Sequence, residues 1–262
     1  MCFELDSVPP IPTLSGGAPV LSEDVTLEAA DGARFAAFAA VPDDGARVGI
    51  VVLPDVRGLY RFYEELALRF AERGYAAVAF DYFGRTAGVA KRGDDFPYMD
   101  HVAQTTPDGI EQDVGAVADY LRSPAGGGSE AVFAVGFCFG GRHAWLATAG
   151  GHDLAGAVGF YGSTGERAGS PGPVQRAPEF RAPILALQAG DDDHILPADN
   201  AAFEEALEAA GVVHELIVYD GAPHSFFDRR YTEYAAASAD AWERVLAFIE
   251  RHAGPNRMVE SP

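Results

Sequence analysis

The stretch Gly136-Phe137-Cys138-Phe139-Gly140-Gly141 narrows the possible folds more than any other part of the chain. A short apolar run, Ala131 to Phe137, leads into it, and a helix-compatible run over 142–149 leads out. Strand, one reactive side chain, two glycines and helix make the pattern of a nucleophile elbow, a sharp turn that lifts one side chain to the top of a sheet. The backbone folds close to itself there, so small residues are required beside the turn, which accounts for Gly136 and Gly140. The turn also sets the reactive group at a helix N-terminus, where free N–H groups favour an anion. A lone cysteine is more often an inert apolar residue. Its placement between strand, glycines and helix reverses that reading for Cys138.

The rest of the chain supplies a sheet for such an elbow. The runs 25–29 and 34–41 flank Asp31-Gly32, a strong hairpin signal. Val48 to Leu53 is a continuous apolar run, as a buried parallel strand requires. Leu59, Phe62, Leu66 and Phe70 recur at helical spacing, with Gly74 closing that helix. Ala76 to Phe80 is the next strand. Residues 81–105 are polar and irregular, longer than an ordinary connection and therefore expected to be functional. Thr106-Pro107 opens a helix striped by Ile110, Val114, Val117 and Leu121. After the elbow, 157–161, 184–188 and 215–219 read as strands, and 162–181 as an excursion over one end of the sheet. Asp199 is placed to cap a helix ending at Gly211, and Trp242, Val245, Leu246 and Ile249 stripe a last one. This alternation predicts an α/β fold: a mostly parallel sheet with helices on both faces after an N-terminal antiparallel hairpin. The expected organisation is an extended arm over 1–22 and one domain over 23–262.

Composition sets the outer limits. A net charge of −20, from 39 acidic against 19 basic residues, disfavours nucleic acid and anionic membranes as partners. The two cysteines, Cys2 and Cys138, make no disulfide framework and suit a reducing compartment. The beginning of the sequence has neither a basic segment nor an apolar stretch, so the expectation is a cytoplasmic protein; as a separate expectation, it is a monomer or weak homo-oligomer.

A cysteine nucleophile needs a base to take its proton and a group to orient that base. In this architecture these follow later strands in the order nucleophile, acid, base. After 184–188 comes Asp191-Asp192-Asp193-His194. Asp193, furthest along the loop, is the expected acid. After 215–219 comes Asp220-Gly221-Ala222-Pro223-His224, which puts His224 where the base should be; histidine titrates near neutrality and suits proton exchange with a thiol. Most of the other six histidines read as surface or structural groups, and none pairs with another histidine or with Cys138 at a metal-site spacing, so no metal is expected. The N–H of Phe139 and one from the loop after Val48–Leu53 are the expected oxyanion donors.

These pieces resemble the dienelactone hydrolase family of α/β-hydrolases. The resemblance runs from Val51 to about Phe248. It rests on Asp55-Val56-Arg57-Gly58-Leu59, Asp81-Tyr82-Phe83-Gly84-Arg85, the cysteine elbow, Gly159-Phe160-Tyr161-Gly162, the Asp193-His194 loop and His224-Ser225-Phe226. It implies a Cys138-His224-Asp193 triad that cleaves a small ester or lactone through an acyl-enzyme, without a cofactor. It places the second oxyanion donor at Val56. It gives Asp55, in the position of a family glutamate, control of the resting thiol, and it assigns Arg85 and Tyr161 to the substrate, whose carboxylate the family holds with arginines. The family's second arginine position holds Asp228, followed by Arg229 and Arg230. Either Arg229 or its neighbour substitutes, or the preferred substrate is not a dienelactone. The competing readings are a thioesterase or broad carboxylesterase, and a non-catalytic small-molecule-binding protein on the same fold.

Overall fold

The computed structural model describes residues 6–93 and 95–254, and Cys2 lies outside them. In chain order the elements are β1 (Val20–Glu28), β2 (Arg34–Pro42), β3 (Val48–Leu53), α1 (Arg61–Ala71), β4 (Ala76–Phe80), α2 (Gly84–Ala87), α3 (Tyr98–Val102) and α4 (Pro107–Arg122). They continue with β5 (Ala131–Phe137), α5 (Phe139–Leu146), β6 (Leu154–Phe160), α6 (Pro173–Arg176), β7 (Ile184–Asp191), α7 (Pro197–Ala209), β8 (His214–Pro223) and α8 (Ala235–His252). The strands form one sheet in the order β1-β2-β4-β3-β5-β6-β7-β8. β1, β2 and β4 pair antiparallel, and every pairing from β4 through β8 is parallel.

All six residues of β3 are buried. Ile50 and Val52 face a layer that holds Phe62, Leu66 and Phe70 of α1 and Val245 and Ile249 of α8. Val51 and Leu53 face the opposite layer, with Val114 and Val117 of α4 and Trp145 of α5. A strand covered on both sides must be apolar throughout, which is what makes Val48–Leu53 so legible in the sequence. Thr106 Oγ1 accepts a hydrogen bond from Gly109 N at 3.1 Å, so α4 begins with the expected cap and Pro107 at its first position. This is the α/β-hydrolase architecture anticipated above, hairpin included.

Most strands run a few residues beyond the expected bounds, and two differences change an assignment. β1 begins at Val20, so 20–22 pair with β2 instead of belonging to the arm. α7 begins at Pro197, and Asp199 sits inside its first turn, where its Oδ2 accepts the Leu196 N–H at 2.8 Å. Proline is favoured at a first helical position, and that preference outweighs capping by Asp199.

The arm before β1 is tied to the loop after β8. Asp228 Oδ1 accepts the Val8 N–H at 3.2 Å, Arg229 N donates to Val8 O at 3.0 Å, and the Arg229 guanidinium donates to Pro9 O at 3.0 Å. Ile11 is buried in the layer containing Phe226 and Phe227. No helix of the described residues is long and apolar enough to cross a membrane.

Candidate active site

After β3 the chain moves to β4 on one side, then returns past β3 to β5 on the other. The carboxyl ends of β3 and β5 therefore flank a topological switch point, the place where open α/β sheets bind ligands. Cys138 follows β5 directly, with φ 55° and ψ −112°. A left-handed φ in a residue with a side chain costs roughly 1–3 kcal/mol and persists only where the surroundings impose it. Here they do. A Cβ on Gly136 would stand 2.0 Å from Gly140 O, and one on Gly140 would stand 2.2 Å from Leu53 O. Only glycine permits that approach. Cys138 is a half-buried thiol with no disulfide, and its N–H donates to Phe160 O at 3.0 Å.

His224 emerges at the end of β8, one residue before Ser225, which has φ 64°. Its Nδ1 lies 2.6 Å from a carboxylate oxygen, Oδ2 of Asp192. The expected acid, Asp193, is exposed to solvent. The reason is local. Asp192 Oδ1 accepts the His194 N–H at 2.8 Å, a two-residue turn that folds this carboxylate back under the loop, where its side chain is fully buried. Burial by itself would push the Asp192 carboxyl up; the hydrogen bond and charge of His224, with the His194 N–H, more than offset it and hold the group below the usual range. Tyr161, at φ 37°, packs its ring 4.9 Å from the His224 ring.

Cys138 and His224 open onto one cavity of about 620 Å³. Val56 and Phe139 line it beside the thiol. Sheet order divides it in two. On the β3–β4 side the wall is Met99, Val102, Ala103 and Pro107, with Phe139 and His143 of α5. On the β6–β8 side it is Ser163, Arg167, His194 and Ile195, with Arg142. Among the described residues no carboxylate lines the cavity, despite the acidic composition. The Arg142 guanidinium is occupied by main-chain oxygens, including Ser163 O at 3.3 Å and Pro171 O at 3.1 Å, and burial lowers its pKa to about 10. Arg142 thus staples the 162–181 excursion to the elbow helix. Neither it nor Arg167 was singled out from the sequence; the excursion itself was the only signal. Among the described residues no group of three or more His, Cys, Asp or Glu is placed to hold a metal ion.

Three further expectations meet different geometry. Arg85 does not line the cavity. It pairs with Asp31 on the hairpin turn and, at 2.7 Å, with the buried Asp113 of α4, which draws it to the outside of the sheet. Arg229 is spent on the arm, and Asp228, in the position of the family's second arginine, holds the Val8 N–H. Asp55 is buried and carries an ion pair with Arg57 at 3.0 Å and a hydrogen bond from Tyr60 OH at 3.0 Å. Its charge is thus half of a buried pair, not a lone carboxylate.

Known proteins resemble this chain in sequence and fold. The family model for the dienelactone hydrolase family matches residues 35–253. A protein of Escherichia coli (strain K12) is 30% identical, over 92% of this chain and 96% of its own. The carboxymethylenebutenolidase of Pseudomonas putida is 30% identical, over 88% of this chain and 97% of its own. A Klebsiella pneumoniae crystal structure superposes with a TM-score of 0.79 at 28% identity, covering 89% of this chain and 99% of that one. With a family model spanning most of its length and relatives at this identity along nearly all of it, the chain belongs to the dienelactone hydrolase family.

Proposed function

We propose that the protein hydrolyses small carboxylic esters or lactones by covalent catalysis at Cys138. The observation that carries the reading is the buried Asp192–His224 pair beside the cavity onto which Cys138 opens. Ionised Asp192 keeps the proton on Nδ1 of His224, which leaves Nε2 as the base. Cys138 Sγ attacks the carbonyl carbon as its proton passes to Nε2. The tetrahedral oxyanion takes the N–H groups of Val56 and Phe139. Its collapse breaks the ester C–O bond, His224 returns the proton to the leaving oxygen, and an acyl-thioester remains. Water, deprotonated by His224, attacks that thioester and releases the acid and the thiol. Every group used belongs to the chain or to solvent.

The commitments of Arg85 and Arg229 favour a broader esterase over one specialised for a carboxylate-bearing lactone. Arg167 still gives the β6–β8 side a positive wall, so an anionic leaving portion is accommodated there. The test is turnover of 4-nitrophenyl acetate together with intact-mass analysis. Wild type should turn over and carry an acetyl increment on the peptide containing Cys138, and Cys138→Ala should do neither. Undiminished turnover by Cys138→Ala would end the covalent reading.

A further inference from the structure

We propose that His143 is a substrate-binding residue that hydrogen-bonds an uncharged oxygen on the acyl portion of the ester, making the enzyme selective for oxygenated over plain hydrocarbon acyl groups. The inference rests on the hydrolase reading above and deepens it.

His143 lies one helical turn beyond Phe139, so both project from the same face of α5. Their rings are 4.5 Å apart. That face looks toward α4, and His143 lines both the main cavity and a small void against Pro107, Ile110 and Val114, which Glu111 and Arg176 also border. The residue is 6% exposed and lines the cavity, no hydrogen bond to either ring nitrogen is found among the described residues, and neither nitrogen is among the fully buried unpartnered atoms. An imidazole whose remaining exposure faces a cavity and whose nitrogens are uncommitted is a place for a ligand atom. Burial, with the neighbouring Arg142 adding to it, pushes its pKa down to about 3, so the ring is neutral at physiological pH. A neutral imidazole offers one N–H and one acceptor nitrogen, which suits a ketone, ether or hydroxyl oxygen better than a carboxylate.

Topology decides which part of the substrate reaches it. His224 must contact the leaving oxygen, and it stands over β6–β8 with Asp192 and Tyr161. His143 is on the other side of Cys138, toward α4. The acyl group, retained on Sγ after the leaving group departs, therefore occupies the side lined by Met99, Val102, Ala103 and Phe139. Among the described residues that side is apolar apart from His143 and Thr105, whose hydroxyl is engaged with Val102 O at 2.8 Å. One neutral hydrogen-bonding ring in an apolar sleeve describes a short acyl chain with one oxygen in it.

The experiment compares kcat/KM for the 4-nitrophenyl esters of pentanoate and 4-oxopentanoate, and of hexanoate and 5-oxohexanoate, corrected for spontaneous hydrolysis. Each pair differs by one oxygen at nearly constant length. A hydrogen bond of ordinary net strength predicts that wild type favours one oxo ester by about 3- to 10-fold. His143→Phe keeps a ring and should bring the ratio to that of spontaneous reactivity. His143→Gln, which retains a donor and an acceptor, should restore part of it. A substitution that merely disturbed the helix would lower both esters of a pair together. A wild-type ratio no greater than that of His143→Phe overturns the role of His143 while leaving the hydrolase reading standing. No turnover of any of the four esters by wild type overturns both.

Discussion

Asp192→Asn is the sharpest perturbation of the catalytic geometry. The Asp192 carboxylate accepts two hydrogen bonds, from His224 Nδ1 at 2.6 Å and from His194 N at 2.8 Å. Asparagine has one oxygen. If that oxygen stays on His194 N–H, the amide NH2 faces Nδ1 and can bond only a deprotonated nitrogen. The imidazole proton then moves to Nε2, where the base is needed, and His224 can no longer accept the thiol proton. By analogy with the same change in serine-type triads, kcat should fall by roughly 10³–10⁴, or about 4–5.5 kcal/mol in the barrier. Asp193 is exposed and Asp191 likewise, so Asp193→Asn and Asp191→Asn should stay within about twofold, as surface substitutions do. The assay is steady-state and burst hydrolysis of 4-nitrophenyl acetate, with thermal melts to confirm that each variant is folded. A loss under about 10-fold in Asp192→Asn, or an equal loss in Asp193→Asn, would refute the assignment.

Other consequences are as direct. Gly136→Ala would drive a Cβ to within 2.0 Å of a backbone oxygen and should cost at least ~3 kcal/mol; an unchanged denaturant midpoint would contradict the packing. Asp55→Asn leaves the Arg57 charge without its carboxylate partner; if Asp55 controls the thiol, Cys138 should ionise more readily and react faster with iodoacetamide near neutral pH. An unchanged rate would remove Asp55 from control of the thiol. Arg85→Gln should leave KM within about twofold, because Arg85 is outside the cavity. The same change should destabilise the fold. Burial raises the Asp113 pKa to about 7 even with Arg85 opposing it, so the folded state holds a proton that the unfolded state loses near pH 4. Stability therefore declines as pH rises from about 4 toward 7, and Arg85 matters most once Asp113 is ionised. The melting difference between wild type and Arg85→Gln should be larger at pH 8 than at pH 5, and the reverse order would reject the linkage.

What could be read from the sequence was what depends on neighbours along the chain. β3 is legible because both its faces are covered, and the start of α4 because Thr106 and Pro107 act within one turn. The elbow is legible because its glycines answer a purely local clash. Asp192 was not, since three identical residues differ only in which one turns back onto His194 N–H. Arg85 follows β4 as the resemblance requires, but its direction is fixed by Asp31, 54 residues before it, and Asp113, 28 after it. Arg229 was lost to carbonyls of the arm, 220 residues away. For His143 the helix face was readable, but not the lack of a partner for its ring.

The bond between Val8 and Asp228 spans 220 residues, and that distance has a meaning for synthesis. A chain emerging from the ribosome can pair β1 through β7 and close the elbow long before residue 228 exists. The segment around Val8 must meanwhile wait for a partner not yet made. Contacts of such long separation carry the greatest loop-closure cost and form late. His224 lies only four residues before Asp228, so on the proposed mechanism a nascent chain would hold a shaped thiol pocket for some time before it could turn anything over.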